Sequence, residues 1–139
     1  METLQKKPLA TDELKELDIA IVYLFGSQAE GTAGEGSDID IGIVLKNPAV
    51  LQGGTTALYQ KLYDLFTDVF DMSNFRTIDI VFLDRASLEL RFDAVQHGIA
   101  LYEDDPDFRD AFEERTALLY RDFAPLRRMF DEAVLAKIP

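Results

Sequence analysis

Ile19-Ala20-Ile21-Val22-Tyr23-Leu24-Phe25-Gly26-Ser27, followed after ten residues by Asp38-Ile39-Asp40-Ile41-Gly42-Ile43-Val44-Leu45, decides the reading of this chain. The first stretch is a continuous apolar run of strand length and reads as a buried β-strand that Gly26 and Ser27 terminate. The second, over Asp38–Leu45, alternates. Ile39, Ile41, Ile43 and Leu45 take one face, and Asp38, Asp40, Gly42 and Val44 take the other. Residues two apart on a strand point the same way, about 6.5–7 Å apart at Cα. Asp38 and Asp40 can therefore converge on one divalent cation. A strand ending in Gly-Ser, a loop, and a strand opening on two carboxylates together form a way to hold a nucleoside triphosphate with its metal ions.

A third carboxylate completes this picture. Thr77–Leu83 reads as another strand, with Ile78, Ile80 and Phe82 on one face and Asp79, Val81 and Leu83 on the other. If this strand neighbours the Asp38–Leu45 strand at the usual spacing of about 4.8 Å, all three acids meet. Close carboxylates repel, and burying them unpaired is costly. Hard oxygen ligands of this kind suit Mg²⁺, which takes phosphate oxygens and water to complete its octahedron. Gly26 lets a phosphate approach the backbone, and Ser27 opens a helical turn whose N–H groups bind anions. Gly36 and Ser37, just before the carboxylates, are candidates to complete the cradle. With two ions about 3.5–4 Å apart, one activates a hydroxyl and the other steadies the triphosphate. Asp79 is then a shared ligand or the general base.

The surrounding pattern is that of a mixed α+β domain. A short helix is expected over Thr11–Leu17 with Thr11 as its cap, and a helical turn over Gln28–Glu30. The glycines at 31, 34 and 36 mark a loop, and Lys46-Asn47-Pro48 closes the second strand. Leu58, Leu62, Leu65, Phe66 and Val69 form one apolar stripe of a helix over Thr56–Phe70. Ser87 caps a helix carrying Leu88, Phe92 and Val95, which Gly98 stops. Ile99–Tyr102 reads as a short strand. Asp105 caps a long helical segment with Pro106 at its first position and Phe108, Phe112, Leu119 and Phe123 along one side. Pro125 is expected to kink or split that segment, leaving a last helix over Leu126–Ala136.

Composition bounds the function. The 139 residues suit a single domain, residues 1–139, whose last part from about residue 105 is helical. An apolar fraction of 47% and a charged fraction of 29% are ordinary for a globular protein. A net charge of −12 argues against direct nucleic acid binding, and suits a basic protein partner. It leaves a metal-bound mononucleotide open, because the cation reverses the local charge. The absence of cysteine removes disulfides, thiolate nucleophiles and Cys-based zinc sites, and fits a cytoplasmic protein. The N-terminal residues lack the apolar core of a signal peptide, and no apolar run is long enough for a membrane span.

Gly26-Ser27, ten residues, Asp38-x-Asp40, with Asp79 in Ile78-Asp79-Ile80-Val81, resembles the nucleotidyltransferase superfamily of DNA polymerase beta, and the small size resembles its minimal members. The stretch Arg91-Phe92-Asp93-Ala94-Val95-Gln96-His97-Gly98-Ile99-Ala100-Leu101-Tyr102-Glu103 looks like the MntA-type antitoxins paired with HEPN-domain toxins. The resemblance implies a small mixed β-sheet packed against helices. It also implies Mg²⁺-dependent transfer of AMP from ATP to a tyrosine of a HEPN ribonuclease, in a hetero-oligomer. Gly26 and Ser27 would then hold phosphate, Asp38 and Asp40 metal, and Asp79 metal or the proton. Two other functions compete: an inhibitor that only covers its toxin, and a transferase acting on a small molecule such as an aminoglycoside.

One departure stands out. Many relatives carry basic residues after the Gly-Ser, whereas this chain has Gln28 and Glu30, which leaves the triphosphate to the metals and to distant Lys or Arg. Other residues have plainer readings. His97, the only histidine, suits a helix C-terminus. Arg121, Arg127 and Arg128 suit a solvated helix face, and Asp105-Pro106-Asp107 a helix cap. Phe108, Phe112, Tyr120, Phe123 and Phe130 read mostly as core, with a few available to a partner. Ser73 and Asn74 precede the third strand and are candidates to line the pocket.

Overall fold

The structure, a computed structural model, describes residues 4–31, 33–34, 37–73 and 75–136, with no account of the side chains of 134–136. The elements run α1 (Thr11–Glu16), β1 (Ile19–Phe25), α2 (Ser27–Glu30), β2 (Ile39–Leu45), a 3₁₀ turn (Pro48–Gly53), α3 (Thr56–Val69), β3 (Ile78–Phe82), a 3₁₀ turn (Leu83–Arg85), α4 (Leu88–His97), β4 (Ile99–Glu103) and α5 (Pro106–Ala136). The four strands form one mixed sheet in the order β3-β2-β1-β4. β1 pairs antiparallel with β2 and β4, and β2 pairs parallel with β3. A parallel pair needs a long crossover, and α3 supplies it.

Alternation along β2 and β3 sorts side chains to two faces. Ile39, Ile41, Ile43, Leu45, Ile78 and Ile80 pack with Leu14 of α1 and Leu62, Leu65, Phe66 and Val69 of α3. On the opposite face Tyr23, Phe25, Val44 and Leu83 pack with Ala94 of α4 and Phe112 of α5. Gly42 belongs to the second face because space is short there: a Cβ on it would come 2.8 Å from Leu83 Cδ1. β1 contributes to both faces and is buried along its whole length, which is why it reads as an uninterrupted apolar run.

Two local expectations are corrected. Thr11 lies inside α1, whose N-cap is Ala10, with no side-chain cap. Pro125 does not split the last segment, since α5 runs unbroken through it for 31 residues. The carbonyl that loses its donor belongs to exposed Arg121, where water can replace the missing bond. Gly98 stops α4 as expected, with extended backbone at φ −79°. Its role is steric: a Cβ would stand 2.2 Å from the Ala94 carbonyl oxygen and 3.1 Å from that of Leu24, so only glycine lets α4 end directly against β1. The caps at Ser87 and Asp105 form as expected, with Leu90 N donating to Ser87 Oγ at 3.2 Å and Asp107 N to Asp105 Oδ1 at 2.9 Å.

Gly98→Ala is expected to destabilise the domain by about 2 kcal/mol or more through this backbone overlap. Gly53→Ala, where a Cβ meets nothing within 4 Å, should be neutral. Urea denaturation of the two variants beside the parent measures the contrast, and equal midpoints would refute the packing argument.

Candidate functional site

The site is built by strand register. In the parallel pair β2/β3, Asp40 stands directly beside Asp79, while on its other side β1 sets Phe25 opposite Asp40. The chain leaves β1 at Gly26 with φ 71° and ψ −155°, a region that only glycine occupies without strain. This folds the Gly26 backbone over Asp40 so closely that a Cβ there would lie 2.3 Å from Asp40 Oδ2. Gly26 thus makes room for a carboxylate, a function additional to any contact with phosphate.

Asp40 is half-buried, and its carboxylate accepts no hydrogen bond among the described residues. Burial, then the charge of Asp79, then that of Asp38 push its pKa above the usual carboxylate value. Asp38 lies just before β2, is exposed, and accepts a 2.7 Å hydrogen bond from Thr77 Oγ1. Asp79 is exposed on β3. The three carboxylates therefore share one end of the sheet. Among the described residues, however, no three acidic or histidine side chains close on a point tightly enough to hold a metal ion. The donor set still fits a hard divalent cation: every group is a carboxylate, Asp40 carries unrelieved repulsion, and the Gly26 cradle leaves its oxygen uncovered.

The loop before β2 is tied down by Gln28, noted above only as a departure, and by Arg76, which the sequence reading did not single out. The Ser37 carbonyl accepts from Gln28 Nε2 at 3.0 Å and from Arg76 Nε at 3.1 Å. Arg76 Nη1 also donates to the Asp71 carbonyl at 2.8 Å. Gln28 is thus a strut between α2 and the loop that carries Asp38, which accounts for a neutral residue there. Arg76 is a cation bonded directly to this loop, and its sequence signal is its place directly before Thr77 and the third strand. Ser37 Oγ accepts from Gly34 N at 2.9 Å, so the hydroxyl shapes the loop; Gly36 lies outside the described residues. Ser27 opens α2, where Ala29 and Glu30 N–H already bond the Gly26 carbonyl at 3.1 Å, and the N–H groups of Ser27 and Gln28 precede those bonds.

The plainer readings of other residues fit their surroundings. His97 pairs with Asp93 at 3.1 Å, one turn back on α4. Arg121 pairs with Asp122, and Arg127 with Glu89 and Asp131. Ser73 is exposed with its N–H bonded to Asp71, and Asn74 lies outside the described residues. Tyr23 OH donates to Glu113 Oε2 at 3.1 Å; burial, with the Glu113 charge, raises its pKa, which marks it as a tie between β1 and α5.

Residues 10–107 match the family model "Polymerase beta, Nucleotidyltransferase", which spans both Gly26-Ser27 and the three carboxylates. The chain belongs to this family. Solved structures agree at the level of the fold. A toxin–antitoxin crystal structure with AMP-PNP is 22% identical with a TM-score of 0.61, over 91% of this chain and 99% of that one. A crystal structure from Shewanella oneidensis is 21% identical at TM-score 0.58, over 89% and 92%. A complex of tri-AMPylated Shewanella oneidensis HEPN toxin with MNT antitoxin supplies a chain 19% identical at TM-score 0.55, over 90% and 95%. No curated protein matches the sequence.

Gly26→Ala is expected to cost about 1–2 kcal/mol of stability from backbone strain alone and to displace the Asp40 carboxylate. Thermal melts measure the first effect. Loss of any Mg²⁺-induced stabilisation, which Gly53→Ala retains, measures the second.

The raised pKa of Asp40 has a definite sign. Stability from this group is present below the ordinary carboxylate pKa and is lost as pH rises through the elevated folded value. At neutral pH the ionised form therefore opposes folding. Metal-free Asp40→Asn should melt higher than the parent by a margin that grows between about pH 4 and pH 7. Added Mg²⁺ should narrow the gap by stabilising only the parent. A gap that stays constant with pH would show that ionisation of Asp40 is not its source.

Proposed function

We propose that this chain is an antitoxin of the MntA type that transfers AMP from ATP to a tyrosine hydroxyl of a HEPN toxin and so neutralises it. The observation that carries the reading is the register pairing of Asp40 with Asp79 beneath the Gly26 bend, on a chain of the nucleotidyltransferase family. The similarity to a chain from a complex with AMPylated HEPN toxin, and to one crystallised with AMP-PNP, supports the choice of nucleotide and acceptor. The lack of cysteine suits a cytosolic setting.

In this reading Asp38, Asp40 and Asp79 hold the metal, and Gly26, Ser27 and the Gly36-Ser37 segment receive the phosphates. Bound Mg²⁺, in two ions, would supply charge neutralisation on the triphosphate and acidify the acceptor hydroxyl. Asp79 is exposed and takes the acceptor's proton. The acceptor oxygen bonds to the α-phosphorus, the bond to the β-phosphate bridging oxygen breaks, and pyrophosphate leaves with the electron pair. The Ser27 and Gln28 N–H groups orient the departing phosphates, and the Gln28–Ser37–Arg76 tie holds the loop that presents Asp38.

Incubation with ATP, Mg²⁺ and the partner toxin should add whole AMP units to a toxin tyrosine, read by mass spectrometry. Asp38→Ala with Asp40→Ala should slow transfer by at least about a hundredfold while the melting temperature does not fall. Neutralised but unmodified toxin would instead establish inhibition by binding alone.

A further inference from the structure

α5 changes character along its length. Phe112 and Thr116 are buried in the domain. The line they begin continues at alternating steps of three and four through Leu119, Phe123, Leu126 and Phe130. These four are 45%, 41%, 61% and 68% exposed, too much apolar surface on one line to be incidental. The segment is not loose. Tyr120 stacks on Phe92 of α4 at 3.9 Å between ring centroids, and Arg127 pairs with Glu89 of α4. α4 thus braces one flank of α5 and leaves the apolar line presented as a fixed ridge. Spacing of three and four is the pattern a second helix packs against. The eleven steps from Leu119 to Phe130 span about 16 Å, three turns of such a partner.

Charge narrows the occupant. The chain as a whole carries −12, so two copies repel. Around the ridge Arg121, Arg127 and Arg128 balance Asp122, Asp131 and Glu132. At its head lies a cavity of about 360 Å³ whose lining includes Lys46, Asp84, Arg91, Arg115 and Leu119. Lys46 is engaged by Asp104, and Asp84 accepts a 2.9 Å hydrogen bond from Leu45 N. Arg91 Nε is buried without a hydrogen-bond partner, and Arg115 makes no ion pair among the described residues. Arg91 and Arg115 both face Asp84, the one acidic side chain lining the cavity, so cations outnumber carboxylates there and a further carboxylate is the matching ligand.

We propose that this ridge docks an amphipathic helix of the protein substrate, whose apolar side lies along Leu119, Phe123, Leu126 and Phe130 and whose carboxylate reaches Arg91 and Arg115. This rests on the reading of the chain as a transferase that modifies a protein. Leu45, which also lines the cavity, is five residues from Asp40 along β2, about 17 Å. Docking and transfer therefore sit at opposite ends of the sheet, and the ridge governs capture of the substrate rather than the chemical step.

The test uses full-length protein and its toxin. Leu126→Asp with Phe130→Asp, both well exposed, should raise the KM and Kd for toxin by roughly thirtyfold, as loss of a binding hot spot does. The kcat at saturating toxin should hold within about twofold. Arg115→Glu alone should weaken binding about tenfold, and Val50→Asp, equally exposed but away from the ridge, should change nothing. Unchanged KM and Kd in both ridge variants, with parent transfer intact, would overturn the docking proposal and leave the activity standing. A parent that binds toxin through the ridge yet transfers no AMP would do the reverse. A parent dimer in light scattering that the double variant converts to monomer, with toxin affinity unaltered, would assign the ridge to a second copy and overturn the proposal.

Discussion

Everything at the candidate site depends on the parallel pairing of β2 with β3. Because the two strands run the same way, both begin at the same edge of the sheet, and the second residue of each is an aspartate. Asp40 and Asp79 are brought together by that register alone. A slip of one residue would turn one of them to the opposite, wholly apolar face. The register is held by the apolar partners around it: Ile39 with Ile78 and Ile41 with Ile80, all buried on the α3 side. The repulsion between the acids is thus sustained by hydrophobic packing one residue away, a local loss of stability held in place by the core.

The antiparallel strand β1 adds the complementary constraint. It sets Phe25 against Asp40 and must then turn away at once, and only a glycine can turn there without striking the carboxylate. The loop returning to β2 is fastened from two directions, by Gln28 from α2 and by Arg76 from the approach to β3. Both bonds converge on the Ser37 carbonyl, one residue before Asp38. The Gly26 bend and the acidic strand end are consequently parts of one hydrogen-bonded frame.

α5 links this frame to the outside of the molecule. Its first turns close the second core layer through Phe112, and Tyr23 bonds across to Glu113. Its later turns carry the same apolar spacing beyond the edge of the domain, where α4 braces them but does not cover them. Phe108 and Tyr120 are half-buried and Phe112 is core, whereas Phe123 and Phe130 are the exposed members of the set. Spacing alone cannot separate a stripe that faces the core from one that faces a partner.

The amino-acid pattern by itself determined most of the elements and which acidic side chains fall at strand ends. Strand periods placed Asp38, Asp40 and Asp79, the Gly-Ser bend ended β1 where expected, and the α3 stripe was legible because one face of a long helix repeats its apolar residues. Those features are local, set by backbone period and side-chain type. Tertiary structure alone decided that β3 lies beside β2 in parallel, that Gly26 is required by an Asp40 carboxylate fourteen residues away, and that Gly98 is required by a carbonyl rather than by a turn. It also decided that Gln28 and Arg76 meet on Ser37, and that Pro125 sits inside an unbroken helix. Each of these depends on distances between residues far apart in the chain, or on which groups water can reach, and neither quantity is written in any short run of sequence.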